Sequence, residues 1–513
     1  MLSNLVAGGD RLLVLALILP VASLMLAFVL GGRHAERIAL ATLPIGLAVA
    51  VAIAAAVLHG DAPLHTDLGG WAPPLGVALR ADGLSAIMLL TTAVVMVAVG
   101  LFARADFQVP PGTTESRAPF AFWTLLLALW AALNAVFLGE DLFNLYVALE
   151  LLTFAAIPLV CLDGRAQTLA AALRYLVFAL LGSVLYLLGA ALLYGAYGTL
   201  DIGQLAARIG GDPLEPAALI AAALMTAGLL AKTALFPVHL WLPPAHAGAP
   251  AAASALLSAL AVKASFFLIL RIWFDVMPEL LAQMAAQVLA ALGAAAILFG
   301  GVLALRQARL KMLIAYSTIA QIGYLFLIFP LVASPETAPL AELRNAPGAW
   351  TGGALQLVSH ACAKAAMFMA AGLIAASLGH DRIRDLGGIG RALPMTLFAF
   401  GIAGMSLMGL PPSGGFMAKW LLLLAAMQCG QWWWMLVILA GGLLTGAYLY
   451  RVLATALSTQ GPSPVLVKPV DRSREWVVLG LALISVLLGL VPLSSFSLIQ
   501  IGRDVSGIGV GLP

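Results

Sequence analysis

The sequence predicts an all-α polytopic membrane protein with about fourteen transmembrane helices. Of its 513 residues, 63% are hydrophobic and only 10% are charged, whereas soluble domains carry about 25% charged residues. The mean hydropathy is +1.05, and apolar runs of about 20 residues, long enough to cross a bilayer core of about 30 Å, recur along the whole chain. We therefore expect a bundle embedded in the lipid bilayer.

Composition also bounds the chemistry. The net charge of +3 is small and dispersed, so nucleic acid is not an expected partner. The three cysteines, Cys161, Cys362 and Cys429, share no metal-ligand spacing and are expected to be small buried hydrophobic residues. No haem, flavin, nucleotide or iron–sulfur motif is found, so neither a cofactor nor a metal site is predicted.

Each predicted span is an apolar run that ends at charged or turn-forming residues. The first run lacks a small-residue cleavage site, so we expect a retained helix rather than a signal peptide. The loop at residues 65–80 has turn residues between two β-prone pieces, which predicts a small hairpin. The fourteen spans are expected at about 11–31, 38–58, 83–103, 119–138, 141–161, 168–195, 216–242, 250–273, 279–303, 309–330, 350–378, 393–427, 431–456 and 475–495.

Two spans are interrupted by proline, which removes an amide donor and clashes with the preceding turn. The seventh contains Pro237, and the twelfth contains Pro411 and Pro412 between Gly409 and Gly415. A broken helix is tolerated in a membrane where it lines a polar cavity. The breaks are five spans apart, an odd offset that reverses direction, so spans four to eight and nine to thirteen are expected to be inverted repeats around a transport site.

The repeats divide the chain into four predicted parts. These are an N-terminal three-helix segment at 1–118, a first repeat with helices 4–8 at 119–276, a second repeat with helices 9–13 at 277–456, and a C-terminal loop with helix 14 at 457–513.

Basic residues predict the orientation of the bundle. Loops and span ends on the side that follows odd-numbered spans hold sixteen arginines and lysines, and the opposite side holds six. The positive-inside rule then puts the odd loops in the cytoplasm and both termini on the periplasmic or outer side of a cell (inner) membrane. The six residues on the opposite side are Arg11, Arg80, Arg208, Arg271, Arg344 and Arg503.

Four of the six lysines lie inside apolar spans, where an ammonium group is costly. Mid-span positions leave such a side chain no easy route to the interface. Burial disfavours the ammonium form, so these lysines predict a row of titratable groups suited to a proton path. The four are Lys232, Lys263, Lys364 and Lys419, whereas Lys311 and Lys468 lie at span ends or in loops.

Glu150 is the only carboxylate near the middle of a predicted span. One interpretation is a counter-charge for a lysine on another helix, which would hold that lysine protonated until the pair separates. The alternative is a structural acid that hydrogen-bonds a neighbouring helix.

Two histidines are candidate relay members. His360 lies four residues before Lys364, so the two share one helix face, and imidazole both donates and accepts near neutral pH. His246, expected near the start of span eight, is a second candidate. A structural role remains an alternative for both histidines, and it is the preferred interpretation of His239, which is nearer the interface.

Five ordered blocks resemble the antiporter-like membrane subunits of respiratory complex I and the Mrp cation/proton antiporters. The resemblance extends over about residues 80–456. Within this superfamily the sequence is most similar to the D-type chain of Mrp antiporters, with which it shares the Leu68–Pro73 loop, the 198–204 stretch and a lysine at position 419. The 244–250 stretch looks more like complex I. The blocks are 140–150, 231–243, 311–324, 360–364 and 409–419.

The resemblance implies a proton-translocating, non-redox subunit of a hetero-oligomer with other membrane subunits. In that family the matching glutamate pairs with the lysine of span seven, and protons pass through the span-eight lysine towards that of span twelve. Carried over, the path is Glu150, Lys232, Lys263 and Lys419, with His360, Lys364 and His246 as relay members. Three memberships stay open, namely an Mrp antiporter, a complex-I-type oxidoreductase or membrane-bound hydrogenase, and an inorganic-carbon uptake complex. Passage of sodium and the direction of transport also stay open.

Overall fold

The computed structural model describes residues 9–110, 113, 116–210, 214–282, 284–332, 348–458 and 466–503. Arg344 lies outside these residues. Helices occupy all fourteen predicted span positions, and twelve of them are by length and composition able to cross a membrane. The predicted all-α polytopic membrane fold is confirmed.

The first half of the chain runs up to the eighth predicted span. Its helices are α1 Gly9–Leu30, α2 Gly32–Gly60, α3 Gly83–Ala103, α4 Arg117–Leu138, α5 Leu142–Val160, α6 Ala166–Tyr197, α7 Ile202–Ile209, α8 Pro216–Thr233, α9 Leu242–Gly248 and α10 Ala251–Val276. The short amphipathic α7 and the short α9 are additions to the predicted spans.

The second half contains the ninth to fourteenth spans. Its helices are α11 Met284–Arg306, α12 Leu310–Val332, α13 Ala349–Leu378, α14 Pro394–Met408, α15 Gly414–Gln428, α16 Trp432–Leu457 and α17 Arg472–Leu487. Shorter helical segments lie at Leu68–Gly70, Pro278–Ala282, Ile383–Asp385, Ile389–Ala392 and Leu493–Gln500. The predicted twelfth span is thus two half-helices, α14 and α15.

The predicted hairpin is confirmed. Strands β1 Leu64–Asp67 and β2 Ala78–Ala81 pair antiparallel, with Leu64 opposite Ala81. A further bridge between Leu79 and Gly139 fixes the hairpin to the loop before α5. The turn-forming residues between the two β-prone pieces were therefore sufficient to locate the hairpin.

Polar contacts divide the ends of the helices into two groups. We call the end with the loops after odd-numbered spans the odd end and the opposite end the even end. At the odd end, Arg309 pairs with Asp381. At the even end, Arg80 pairs with Glu140, and its Nη2 donates to Gly502 O at 2.9 Å. Since loops with numbers of the same parity meet, the contacts agree with fourteen helices that alternate in direction.

Several sequence-based boundaries were wrong at the first break. The seventh span was expected to run to residue 242, but α8 ends at Thr233. His246 was expected near the start of span eight, but it lies in the separate short helix α9. Proline residues at 237, 243 and 244 prevent a continuous helix here because they lack the amide donor.

Candidate functional site

Lys232 and Glu150 form a buried ion pair between α8 and α5. Lys232 Nζ lies 2.9 Å from Glu150 Oε1 and 3.2 Å from Thr153 Oγ1. The two charged side chains are 5% and 14% exposed. Ser183 on α6 also donates a hydrogen bond to Glu150 Oε1. Hydroxyl groups thus complement the ion pair, and neither Thr153 nor Ser183 was selected from the sequence.

The end of α8 explains the position of Lys232. Ala234 adopts a left-handed conformation with φ 57°, and Leu235 N donates to Leu230 O at 3.2 Å. This hydrogen bond closes the helix directly after the turn that carries Lys232. The carbonyl end of a helix favours a cation, so the local fold supports an ammonium at this site.

Close packing of α6 against α8 brings Lys232 towards Glu150. A Cβ atom at Gly182 would lie 2.5 Å from Gly228 O and 3.2 Å from Lys232 Cγ. A Cβ atom at Gly228 would lie 2.3 Å from Gly182 O. Only glycine permits this approach of the two backbones, so the glycine pair positions the ion pair.

Lys419 lies at the second break. Helix α14 ends at Met408; its capping residue Gly409 has φ 87°, and Leu410 N donates to Met405 O at 3.2 Å. Lys419 Nζ reaches back from α15 and donates to Leu407 O at 2.5 Å and to Met408 O at 3.2 Å. The helices that precede the two breaks, α8 and α14, therefore end in the same type of C-terminal cap. In both cases a lysine ammonium lies at that C-terminal end.

Lys263 lies fully buried in the middle of α10. Its Nζ donates to Ser258 O at 2.7 Å, in a π-helical turn at Leu257–Ala261. Ser258 Oγ lies 2.9 Å from Thr318 Oγ1 on α12. Such π turns frequently occur at functional sites, and no feature of the sequence indicated this one.

Lys364 lies on α13 and faces the same part of α12. Its Nζ donates to Ile314 O at 3.0 Å and to Ser317 Oγ. Thr318 Oγ1 donates to the same Ile314 carbonyl at 3.0 Å. Lys364 and Lys263 therefore contact the same region of α12 and α10: Lys364 shares the Ile314 carbonyl with Thr318, Thr318 contacts the Ser258 hydroxyl, and Lys263 contacts the Ser258 carbonyl.

His360 lies one turn before Lys364, fully buried, and neither ring nitrogen has a hydrogen-bond partner among the described residues. The charges of Lys263, Lys364 and Lys419 all act on this ring. His360 is thus a buried donor and acceptor situated among three lysines.

His246 lies in α9, with Nδ1 3.0 Å from Leu242 O and Nε2 unpartnered within the described part of the chain. The charges of Lys263, Lys364 and Lys311 act on its ring. The structure thus places His246 close to the central lysines, although on a different element from the one expected. His239, for which a structural role was expected, packs between the rings of Phe236 and Phe299.

A glutamine pair approaches the Lys419 site. Gln356 Nε2 donates to Gln321 Oε1 at 3.0 Å, and Gln321 Nε2 donates to Leu407 O at 3.1 Å. Leu407 O is also the acceptor for Lys419. Gln356 was missed in the sequence because glutamine in a helix gives no distinctive signal.

A second set of buried charges lies at the even end. Arg271 Nη1 lies 2.5 Å from Asp82 Oδ2 and 2.8 Å from Asp275 Oδ2. Burial opposes ionisation of Asp82, but Arg271 and Arg80 outweigh it and hold the pKa of that carboxyl below its ordinary value. Burial raises the pKa of Glu140 despite its contact with Arg80. Arg271, expected near the end of span eight on the even side, lies there and is buried within the last turns of α10.

Metal coordination has no candidate in the described residues, where no group of three or more His, Cys, Asp or Glu side chains occurs. Cys362 is buried beside Lys263 on the neighbouring helix, and the other two cysteines are partly buried.

The fold is that of a polytopic helical membrane protein with lysines buried inside its spans. The sequence profile described as NADH:quinone oxidoreductase/Mrp antiporter, transmembrane, matches residues 139–445. The chain belongs to this family, and the family expected from the five blocks is confirmed.

Relatives come from both branches of the family. The N-type chain of NADH-quinone oxidoreductase from Desulforudis audaxviator is 34% identical over 81% of this chain and 79% of its own. The D-type chain of the Na⁺/H⁺ antiporter from Alkalihalophilus pseudofirmus is 30% identical over 74% of this chain and 73% of its own. A chain of the Mrp complex from Dietzia matches with a TM-score of 0.83 at 26% identity, over 96% of both chains.

Proposed function

We propose that this chain is a proton-translocating membrane subunit of a hetero-oligomeric cation/proton antiporter, similar to the D-type chain of Mrp antiporters. The observation that carries the proposal is the arrangement of five buried charges. Lys232 is ion-paired with Glu150, whereas Lys263, Lys364 and Lys419 donate hydrogen bonds only to carbonyls and hydroxyls among the described residues.

The ion pair and the unpaired lysines would have different tasks. Glu150 holds Lys232 in its charged form, and separation of the pair would favour release of the proton. A lysine that lacks a carboxylate partner can exchange a proton without first breaking an ion pair. We assign the release of the proton, which the ion pair controls, to Lys232, and the acceptance of that proton to Lys263.

The central groups would carry the proton across the bundle. Lys263 and Lys364 lie near each other on either side of Thr318, with Ser258 on the Lys263 side and Ile314 on the Lys364 side, and the hydroxyls of Ser258 and Thr318 are the groups between them that can both donate and accept. His360, which both donates and accepts, would connect them with the terminal station, Lys419. His246 would act as a further relay member near Lys263. Within the described residues no direct hydrogen bond joins Lys232 to Lys263, so this step would need water or a side-chain movement.

The inverted repeats, and the division at 119–276 and 277–456, are part of the proposal. Two matching backbone ladders support them. Leu142 N donates to Leu200 O at 2.9 Å and Ile202 N to Glu140 O at 2.8 Å. Leu310 N donates to Asp381 O at 2.7 Å and Ile383 N to Ala308 O at 2.9 Å. The first ladder joins spans five and six at the even end, and the second joins spans ten and eleven at the odd end.

We further propose that the odd end faces the cytoplasm and that both termini lie on the outer side of the cell inner membrane, as the distribution of basic residues predicts. The drive would come from an ion gradient or from partner subunits, because the proposed path moves protons without bond chemistry of its own. Other membrane subunits are the expected partners, since the matched structures are multisubunit membrane complexes.

A complex-I-type proton pump is the second candidate. It is favoured by the 34% identity to the N-type chain of NADH-quinone oxidoreductase, which exceeds the 30% identity to the D-type antiporter chain. Purification with the native partners separates the candidates, because only the antiporter would acidify or alkalinise vesicles in response to an imposed Na⁺ gradient without an electron donor.

The test of the path itself is Lys232→Ala in the purified complex, reconstituted with a pH-sensitive dye. We expect proton transport to be lost while the complex stays assembled. Wild-type flux in this variant would overturn the proposed path.

A further inference from the structure

Lys311 is a buried lysine that the predicted path does not use. It was expected at a span end, where a lysine usually extends into water. Its side chain is instead only 9% exposed, and its Nζ is turned inward to donate to the carbonyl of Ala249, between α9 and α10.

Two exposed arginines lie in the loops near Lys311. Arg309, 56% exposed, pairs with Asp381 at 2.9 Å. Arg165, 67% exposed, pairs with Asp163 and donates to Gly248 O at 3.3 Å. These four charges are the ones that act on Lys311 from the neighbouring loops.

Lys311 itself has no carboxylate within ion-pair distance among the described residues, since Asp381 receives Arg309 and only the backbone amide of Lys311 at 3.4 Å. Because no carboxylate is paired with this ammonium, no ion pair holds it in the charged form. Lys311 therefore has the chemistry of an exchange site rather than that of a fixed ion pair.

The inner neighbour that can receive a proton is His246. Its Nε2 is buried and unpartnered within the described chain, and α9 packs against α12, the helix that carries Lys311. The charged groups that act on His246 are Lys311 from α12, Lys263 from α10 and Lys364 from α13. His246 thus lies at the junction between Lys311 and the two central lysines.

We infer that Lys311 is the proton-uptake residue of the odd end, passing protons between the solvent near Arg309 and Arg165 and the lysine row through His246. The inference rests on the proposed proton-transport function and adds a route that connects the buried row with one side of the membrane. His239 is a weaker candidate, because its ring packs against the rings of Phe236 and Phe299.

Chemical rescue of Lys311→Cys tests the inference in the complex purified with its partner subunits and reconstituted in vesicles. Aminoethyl methanethiosulfonate restores a lysine-like amine that can exchange a proton. Trimethylammonioethyl methanethiosulfonate restores the charge without an exchangeable proton. Lys468→Cys, in an exposed loop, is the matched control, and the wild type treated with each reagent accounts for the native cysteines.

We expect Lys311→Cys to lower transport at least about tenfold, which corresponds to about 1.4 kcal/mol in the barrier to transport. Aminoethylation should restore most of the transport, and the trimethyl reagent should restore little. Transport at the wild-type rate without reagent, equal rescue by both reagents, or no rescue by either in an assembled complex would each overturn the inference. Normal transport in Lys232→Ala would instead overturn the underlying proton path, which keeps the two failures distinguishable.

Discussion

Lys232 Nζ and Glu150 Oε1 are 2.9 Å apart although 82 residues separate them in the chain. Among the described residues, Lys232 is the only lysine with a carboxylate partner. The pair lies at the end of a half-helix, where α8 stops and the chain turns away from the helical path. A movement of α5, α6 or α8 would therefore change the ion pair directly.

The charge of Glu150 should matter more than its shape. Glu150→Gln keeps the size and the contact with Ser183 but removes the counter-charge. We therefore expect proton transport to fall at least about tenfold, which corresponds to a barrier higher by about 1.4 kcal/mol. Glu150→Asp keeps the charge at shorter reach and should retain part of the flux. Dye-monitored transport in vesicles measures both, and equal rates for Gln and Asp would make the acid structural.

The glycine contact between α6 and α8 should be required for the same pair. Gly182→Ala adds a Cβ atom 2.5 Å from Gly228 O, which forces the helices apart, and overpacking of this kind costs about 1–3 kcal/mol. We expect lower thermal stability and reduced transport. Gly195→Ala is the matched control on the same helix, because its Cβ atom would meet nothing within 4 Å. Equal melting temperatures for the two variants would contradict the packing argument.

The Asp82–Arg271 pair should make stability depend on pH in the acid range. The pKa of Asp82 in the folded protein lies below its ordinary value of 3.8, so its charge stabilises the fold above that value. This stabilisation is lost as the pH falls from about 4 through the lowered pKa. Asp82→Asn should cost up to about 3–5 kcal/mol at neutral pH.

Thermal unfolding of the purified complex between acid and neutral pH measures this dependence. The difference between Asp82→Asn and the wild type should shrink as the pH falls. Asp61→Asn, at an exposed loop position, is the control and should change stability little at any pH. A constant difference between Asp82→Asn and the wild type would show that the carboxylate charge is not the source of the stabilisation.

The sequence predicted the helices well because long apolar runs and prolines are local signals. Glu150, Lys232 and Lys419 could be selected because a charged residue in a mid-span position is unusual in itself. The partners of the Glu150–Lys232 pair could not be selected, because Ser183 and Thr153 are ordinary helix residues until the fold brings them close to the pair. The burial of Lys311 was missed for a related reason, as its position near a span end suggested exposure that the packing of α9 removes.

The boundaries of the broken spans also could not be predicted from the sequence. Pro237 located the first break, but the helix ends earlier, at Thr233, because Ala234 adopts a left-handed conformation there. A left-handed backbone conformation is uncommon for alanine, so the residue type at this position did not predict the end of the helix. At the second break Gly409 adopts the same region, and its glycine did mark the end of the half-helix.

Lys419 should need a releasable proton rather than a charge. Its Nζ donates to Leu407 O at 2.5 Å and lies 4.4 Å from the centre of the Tyr324 ring. Lys419→Arg keeps the positive charge, which the ring and the carbonyls can still accept, but guanidinium does not deprotonate in proteins. We expect the Arg variant to assemble normally and to lose transport at least about tenfold, as the Ala variant should.

Lys468→Arg, at an exposed loop position, is the matched control for the same exchange and should transport like the wild type. The comparison is made in reconstituted vesicles at equal amounts of assembled complex, so that a folding defect is separated from a transport defect. A Lys419→Arg complex with the wild-type flux would show that this site acts through its charge alone. The proton would then leave the row by another residue, and because His360 lies within reach of the charges of Lys263, Lys364 and Lys419, it would become the next group to substitute.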